Sequence, residues 1–153
     1  MLGQIGIKMY QGSSYFRNNG GDCTNFVSQS LYNGGGMRQV VNNQNPALSW
    51  FYNGYYPGQY SESWAGVQPF RNFMTASGRA TELLFASGTY FLPGTTPVKI
   101  GDVIQMDASG SGTWSHTMII TRVYTVQGFK LFDETYHSDD HLDRPLADVF
   151  NDH

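Results

Sequence analysis

Cys23 and His116 are the residues of this 153-residue chain whose types and settings suit covalent chemistry. Cys23 is the sole cysteine. It follows the turn signal Asn18-Asn19-Gly20-Gly21 and sits at the head of Asp22-Cys23-Thr24-Asn25-Phe26-Val27-Ser28-Gln29-Ser30-Leu31-Tyr32. A sulfur attacks a carbonyl as thiolate, and a helix start favours that form, because unpaired N–H groups and the helix dipole attract negative charge. The same N–H groups can hold the oxyanion that attack creates. Asp22 is ambiguous: its charge opposes a thiolate unless the carboxylate is turned into a helix cap. The competing reading of Cys23 is a small buried hydrophobe, the usual fate of a lone cysteine.

His116 follows Gly110-Ser111-Gly112-Thr113-Trp114-Ser115 and precedes the apolar run Met118-Ile119-Ile120. A flexible loop before it and a strand after it put an imidazole at the rim of a sheet, which suits a general base facing a helix-borne thiol. Taken alone it reads equally as a surface histidine. A thiol–imidazole pair usually needs a third group to orient the ring. His137, Asp133 and Glu134 all qualify by type, and strand alternation puts Leu131, Asp133, Thr135 and His137 on one face, so His137 and Asp133 compete. His137 and His141, with Asp139, Asp140 and Asp143 nearby, have the residue types of a metal site. His-x3-His suits zinc on a helix, however, and this stretch reads as a strand running into a loop, so no metal and no cofactor is expected.

The elements that must position these groups follow from periodicity. Phe26, Val27, Ser30 and Leu31 recur at helical spacing, Asp22 is a plausible cap, and Gly34-Gly35-Gly36 stops the helix. Residues 37–62 are rich in Asn, Gly, Pro and Tyr and read as a long surface loop lined by aromatics around Trp50-Phe51-Tyr52. Ser63 caps a second expected helix from Trp64 to about Ser77, with Val67, Phe70, Phe73 and Met74 inward and Pro69 as a flaw. Residues 79–87 fit a short helix or a strand. The period then changes: Gly101–Asp107, His116–Val123 and Phe129–His137 alternate or are β-rich, with Gln127-Gly128 as a tight turn. Short connections make the three strands antiparallel. The expected class is α+β: a helix carrying the cysteine packed on an antiparallel sheet carrying the histidines.

Composition agrees with one folded domain over residues 1–153. Charged residues are 14% of the chain, while 10 Tyr, 10 Phe and 3 Trp supply apolar area for a core, which excludes disorder and coiled coil. The net charge is −3 and no two of the nine Lys and Arg are adjacent, which argues against nucleic acid. Seven of the twelve acids lie after residue 132 and read as a solvated face. No apolar run approaches the roughly 18 residues of a membrane span, and Met1-Leu2-Gly3-Gln4 does not open a signal peptide. One cysteine excludes a disulfide framework and a four-cysteine zinc site.

With these residues on the page, Gly21-Asp22-Cys23-Thr24-Asn25-Phe26-Val27-Ser28-Gln29 resembles the signature of the putative amidase domain family of bacteria, within the papain-like group that includes NlpC-like and CHAP domains. Ser63-Trp64 with Val67 and Phe70, Gly101-Asp102-Val103-Ile104, Trp114-Ser115-His116 and Tyr136-His137-Ser138 match in the same order, from about residue 10 to residue 148. The resemblance implies a papain-like fold and a catalytic set of Cys23 as nucleophile, His116 as base and His137 as its orienting residue. Papain-like proteases carry a Gln before the cysteine that helps form the oxyanion hole; here Arg17, Asn18 and Asn19 occupy that stretch, leaving Tyr15 or Asn19 and the Cys23 N–H as donors. Asp22, Trp64, Trp114 and Ser115 complete the expected substrate-binding set. The implied activity is cysteine-dependent hydrolysis of amide or peptide bonds by a monomer, with a peptide or peptidoglycan-type substrate and an extracellular or cell-wall setting. An acyltransferase of the transglutaminase type and an inactive wall- or protein-binding module are the alternatives.

Overall fold

The computed structural model describes residues 22–54, 56–83, 92–137 and 141–151. Helix α1 spans Asp22–Gln29 and widens into one π turn over Ser30–Gly34. It stops where expected. A side chain on Gly35 would meet the Leu31 carbonyl oxygen at 2.7 Å, and Gly36 takes φ +67°, the left-handed conformation that ends helices at little cost only in glycine.

The second expected helix is two. Helix α2 covers Glu62–Ala65 and α3 covers Val67–Ala76, separated by Gly66 in an extended conformation (φ −95°, ψ 135°). Ser61, not Ser63, takes the position before α2. Pro69 explains the break. In a continuous helix its ring would strike the carbonyl four residues back, whereas near the start of α3 its missing N–H costs nothing. Phe70, Phe73 and Met74 face inward as anticipated, and Val67 is only half-buried. Residues 79–83 form no regular element, and 84–91 lie outside the described residues.

The rest is an antiparallel sheet: β1 (Leu92–Pro93), β2 (Val103–Met106), β3 (His116–Val126), β4 (Phe129–Tyr136) and β5 (His141–Pro145), followed by helix α4 (Leu146–Asn151). The order is β1-β4-β3-β2, with β5 on β4 as well. Gln127 and Gly128 both have positive φ, 50° and 81°, the turn whose twist matches a two-residue hairpin. A register shift between Ile120 and Arg122 bulges β3 at Thr121. The molecule is therefore α+β, with the antiparallel sheet anticipated from the short connections. Among the described residues no helix is long and apolar enough to cross a membrane.

Alternation divides the sheet. Ile119 joins Phe26, Val27 and Leu31 of α1 and the rings of Trp50, Trp64, Phe70 and Phe73 in one cluster. Ile120 and Phe132 pack with Leu92, Val98 and Leu146, and Met118 and Tyr136 pack with Met106 and Val149. Helices α1 to α3 thus serve one face and α4 the other.

The aromatic stretch around Trp50 corrects the expectation of a surface loop. Trp50 is fully buried, its ring 4.7 Å from that of Trp64 and 6.3 Å from that of Phe73. Its Nε1–H donates to Ser28 Oγ at 3.0 Å, and Trp64 Nε1–H donates to Asn25 Oδ1 at 2.8 Å. These bonds explain why so polar a helix is buried: Asn25 and Ser28 satisfy two indoles that would otherwise be costly to bury.

Candidate active site

Cys23 lies in the first turn of α1, 5% exposed. Its sulfur is not in hydrocarbon. Sγ lies 3.8 Å from Thr24 Oγ1, and the backbone N–H of Thr117 on β3 exerts a downward pull on the thiol's pKa. Thr24 Oγ1 and Thr117 Oγ1 are 2.9 Å apart, a buried bond between residues 93 positions apart that docks the helix start on the strand. Gln105 Nε2 on β2 donates to Thr117 Oγ1 at 3.2 Å and to the Val67 carbonyl at 2.8 Å, extending the tie to α3.

The expectation that a helix start makes the thiol acidic is overturned. Burial pushes the Cys23 thiol above its ordinary value, and this outweighs the N–H of Thr117, the hydroxyl of Thr24 and the N–H of Thr24, which pull it down; the Asp22 charge adds a smaller upward push. Desolvation beats the dipole because a thiolate loses its water entirely whereas a helix end supplies only partial charges. Sulfur at this position rests as a thiol near neutral pH.

His116 begins β3 one residue before Thr117, so the strand on which the start of α1 docks also carries the imidazole. Its ring meets the edge of Tyr136 on β4, centroids 4.7 Å apart at 86°. The loop before it is pre-shaped by Asp107, whose carboxylate accepts N–H bonds from Ser109, Ser111 and Gly112; desolvation opposes these bonds, but together they lower its pKa. Ser115 closes that loop, its N–H donating to the Met106 carbonyl at 2.9 Å. Trp114 is half-buried, with the Arg71 guanidinium 5.1 Å over its ring.

His137, 4% exposed, lies one residue past the end of β4. Its Nδ1 is 2.6 Å from Asp22 Oδ2, and Phe26 stacks on the ring at 5.9 Å and 24°. The pairing of Ile119 with Thr135 carries position 137 opposite Thr117, the strand residue at the sulfur. Its two rivals are engaged elsewhere. Asp133 pairs with Arg122 at 3.2 Å and accepts from Tyr124 Oη at 3.2 Å. Glu134 lies opposite Ile120, on the face that α4 covers.

Trp64 is 1% exposed among Trp50, Tyr52 and Tyr32, so its work is packing rather than walling a ligand. Tyr15, Asn19, Asp139 and Asp140 lie outside the described residues. Among the described residues no three His, Cys, Asp or Glu side chains converge as metal ligands. Sequence reasoning missed Thr24 and Thr117. Their signal was faint: Thr follows both Cys23 and His116, each time on the side chain that faces its partner element.

Comparison with known proteins adds one finding. A family profile described as a putative amidase domain matches residues 8–152. No curated protein sequence and no solved structure matches the chain.

Proposed function

The chain belongs to the putative amidase domain family, which suggests amide hydrolysis, and on that premise we propose a papain-like, thiol-dependent amide hydrolase built as a single domain. The observation that carries the reading is the docking of the cysteine-bearing helix start on the histidine-bearing strand, through the 2.9 Å bond between the Thr24 and Thr117 hydroxyls. Because burial holds Cys23 as a thiol, the base acts during attack. His116 takes the Sγ proton as the sulfur bonds to the carbonyl carbon. The oxyanion is held by the backbone N–H of Cys23 at the start of α1. The C–N bond then breaks as imidazolium returns the proton to the leaving amine, and water hydrolyses the thioester. His137 orients His116, while Trp114 and Ser115 flank the substrate. The family resemblance favours peptides of the bacterial cell wall.

Simple amides and peptidoglycan fragments, with ammonia or amine release followed by mass spectrometry, test the reading. Release by the wild type, lost by a factor of about 10⁴ in Cys23→Ala and by about 10² to 10⁴ in His116→Ala, supports it. Full activity in Cys23→Ala removes it. Exchange of an added amine into the product, in place of hydrolysis, would assign acyl transfer instead.

A further inference from the structure

Asp22 and His137 are 115 positions apart, yet Oδ2 and Nδ1 meet at 2.6 Å with both side chains 5% exposed. An ionised carboxylate can only accept, so with Asp22 ionised the bond requires an N–H at Nδ1. Phe26, four residues after Asp22 and one helical turn away, covers a face of the same ring. The imidazole is therefore gripped on its edge and on its face by one helix. Asp22 is also joined covalently to Cys23, so whatever fixes the ring fixes it relative to the sulfur.

We infer that Asp22 is a positioning residue: its carboxylate holds His137 with Nδ1–H toward α1, and thereby sets the ring orientation from the residue beside the nucleophile. The inference rests on the thiol–imidazole reading proposed above. It assigns Asp22 neither to the helix cap nor to substrate contact. It also accounts for an acid being kept next to a sulfur whose ionisation it opposes. A purely electrostatic role for Asp22 would make it a burden to the site, whereas holding His137 gives the charge a use.

The test uses the full chain labelled with ¹⁵N-histidine. Ring ¹⁵N shifts report the tautomer of His137, and iodoacetamide reports how Cys23 alkylation varies from neutral to alkaline pH. The wild type is expected to carry the proton on Nδ1. In Asp22→Asn, whose amide can donate to Nδ1, the proton moves to Nε2, and alkylation at neutral pH slows about tenfold or more as the profile shifts alkaline. Asp22→Glu restores part of both signals. Loss of the Asp22 charge alone predicts the opposite, an acid shift of the profile. An acid shift or an unmoved profile in Asp22→Asn overturns the inference, whatever the tautomer. Should Asp22→Asn not fold, the wild type and Asp22→Glu decide: an Nε2–H tautomer in the wild type also overturns it. Failure of the catalytic reading itself shows elsewhere, as amide hydrolysis that survives Cys23→Ala.

Discussion

Asp22 and Glu134 are both buried carboxyls, one at the start of α1 and the other on the sheet face covered by α4. Asp22 is matched to an imidazole at 2.6 Å. Glu134 is fully buried beside Ile120, and its carboxyl makes no hydrogen bond to another described residue. Burial first, then the neighbouring Asp133 charge, push the Glu134 pKa up to about 8 against the pull of Arg144. Arg144 stands opposite on β5, but its guanidinium donates to Tyr136 Oη at 2.7 Å and to the Asp148 carbonyl at 3.2 Å. One sheet thus buries two acids by different means. The candidate site supplies its acid with a hydrogen-bonding partner, and on the far face burial raises the acid's pKa instead. The first arrangement fixes a ring in one orientation. The second makes the far face sensitive to pH.

Breaking the pair has the largest expected effect. Asp22→Ala leaves a buried imidazole N–H without its acceptor and is expected to cost about 1–3 kcal/mol in urea unfolding. A loss below about 1 kcal/mol would mean that the pair is not desolvated as described. Glu134→Gln probes the other face. The folded pKa of Glu134 lies above its ordinary 4.5, so stability is complete below that value and falls as pH rises toward about 8. The wild type is expected to lose up to about 1.4 kcal/mol per pH unit in that window, and Glu134→Gln to be flatter by that slope. Parallel stability curves for the two proteins would contradict a protonated Glu134. Arg122→Ala sets the lower end of the scale. It breaks the ion pair to Asp133, but its guanidinium side chain is 62% exposed, so a change within about 1 kcal/mol is expected by thermal unfolding.

What could be read from the sequence was local. The apolar spacing of Phe26, Val27 and Leu31 and the glycines after Asn33 define α1, and alternation with Gln127-Gly128 defines the β3–β4 hairpin. Such elements are set by neighbours within a few residues. Trp50 was misplaced because its surroundings look like a loop, while its partners Ser28, Trp64 and Phe73 are distant in sequence. The Gly66 break was half-legible: Pro69 signalled trouble without saying which residue would give way. For the candidate site, residue types pointed to Cys23, His116 and His137. The bond from Asp22 to His137 spans 115 positions and has no local signature. The acidity of Cys23 was misjudged for the same reason, since the helix start is visible in sequence and the burial that outweighs it is not.

The central claim is that the buried sulfur of Cys23 is the atom that takes the acyl group. Rapid acid quench of the full chain during turnover of an amide it cleaves, followed by peptide mass spectrometry, addresses that atom directly. The account predicts a thioester adduct on the peptide containing Cys23, with the mass of the substrate acyl half and removable by hydroxylamine. Turnover with Cys23 unmodified at every quench time, and undiminished after complete alkylation of that sulfur, would contradict it.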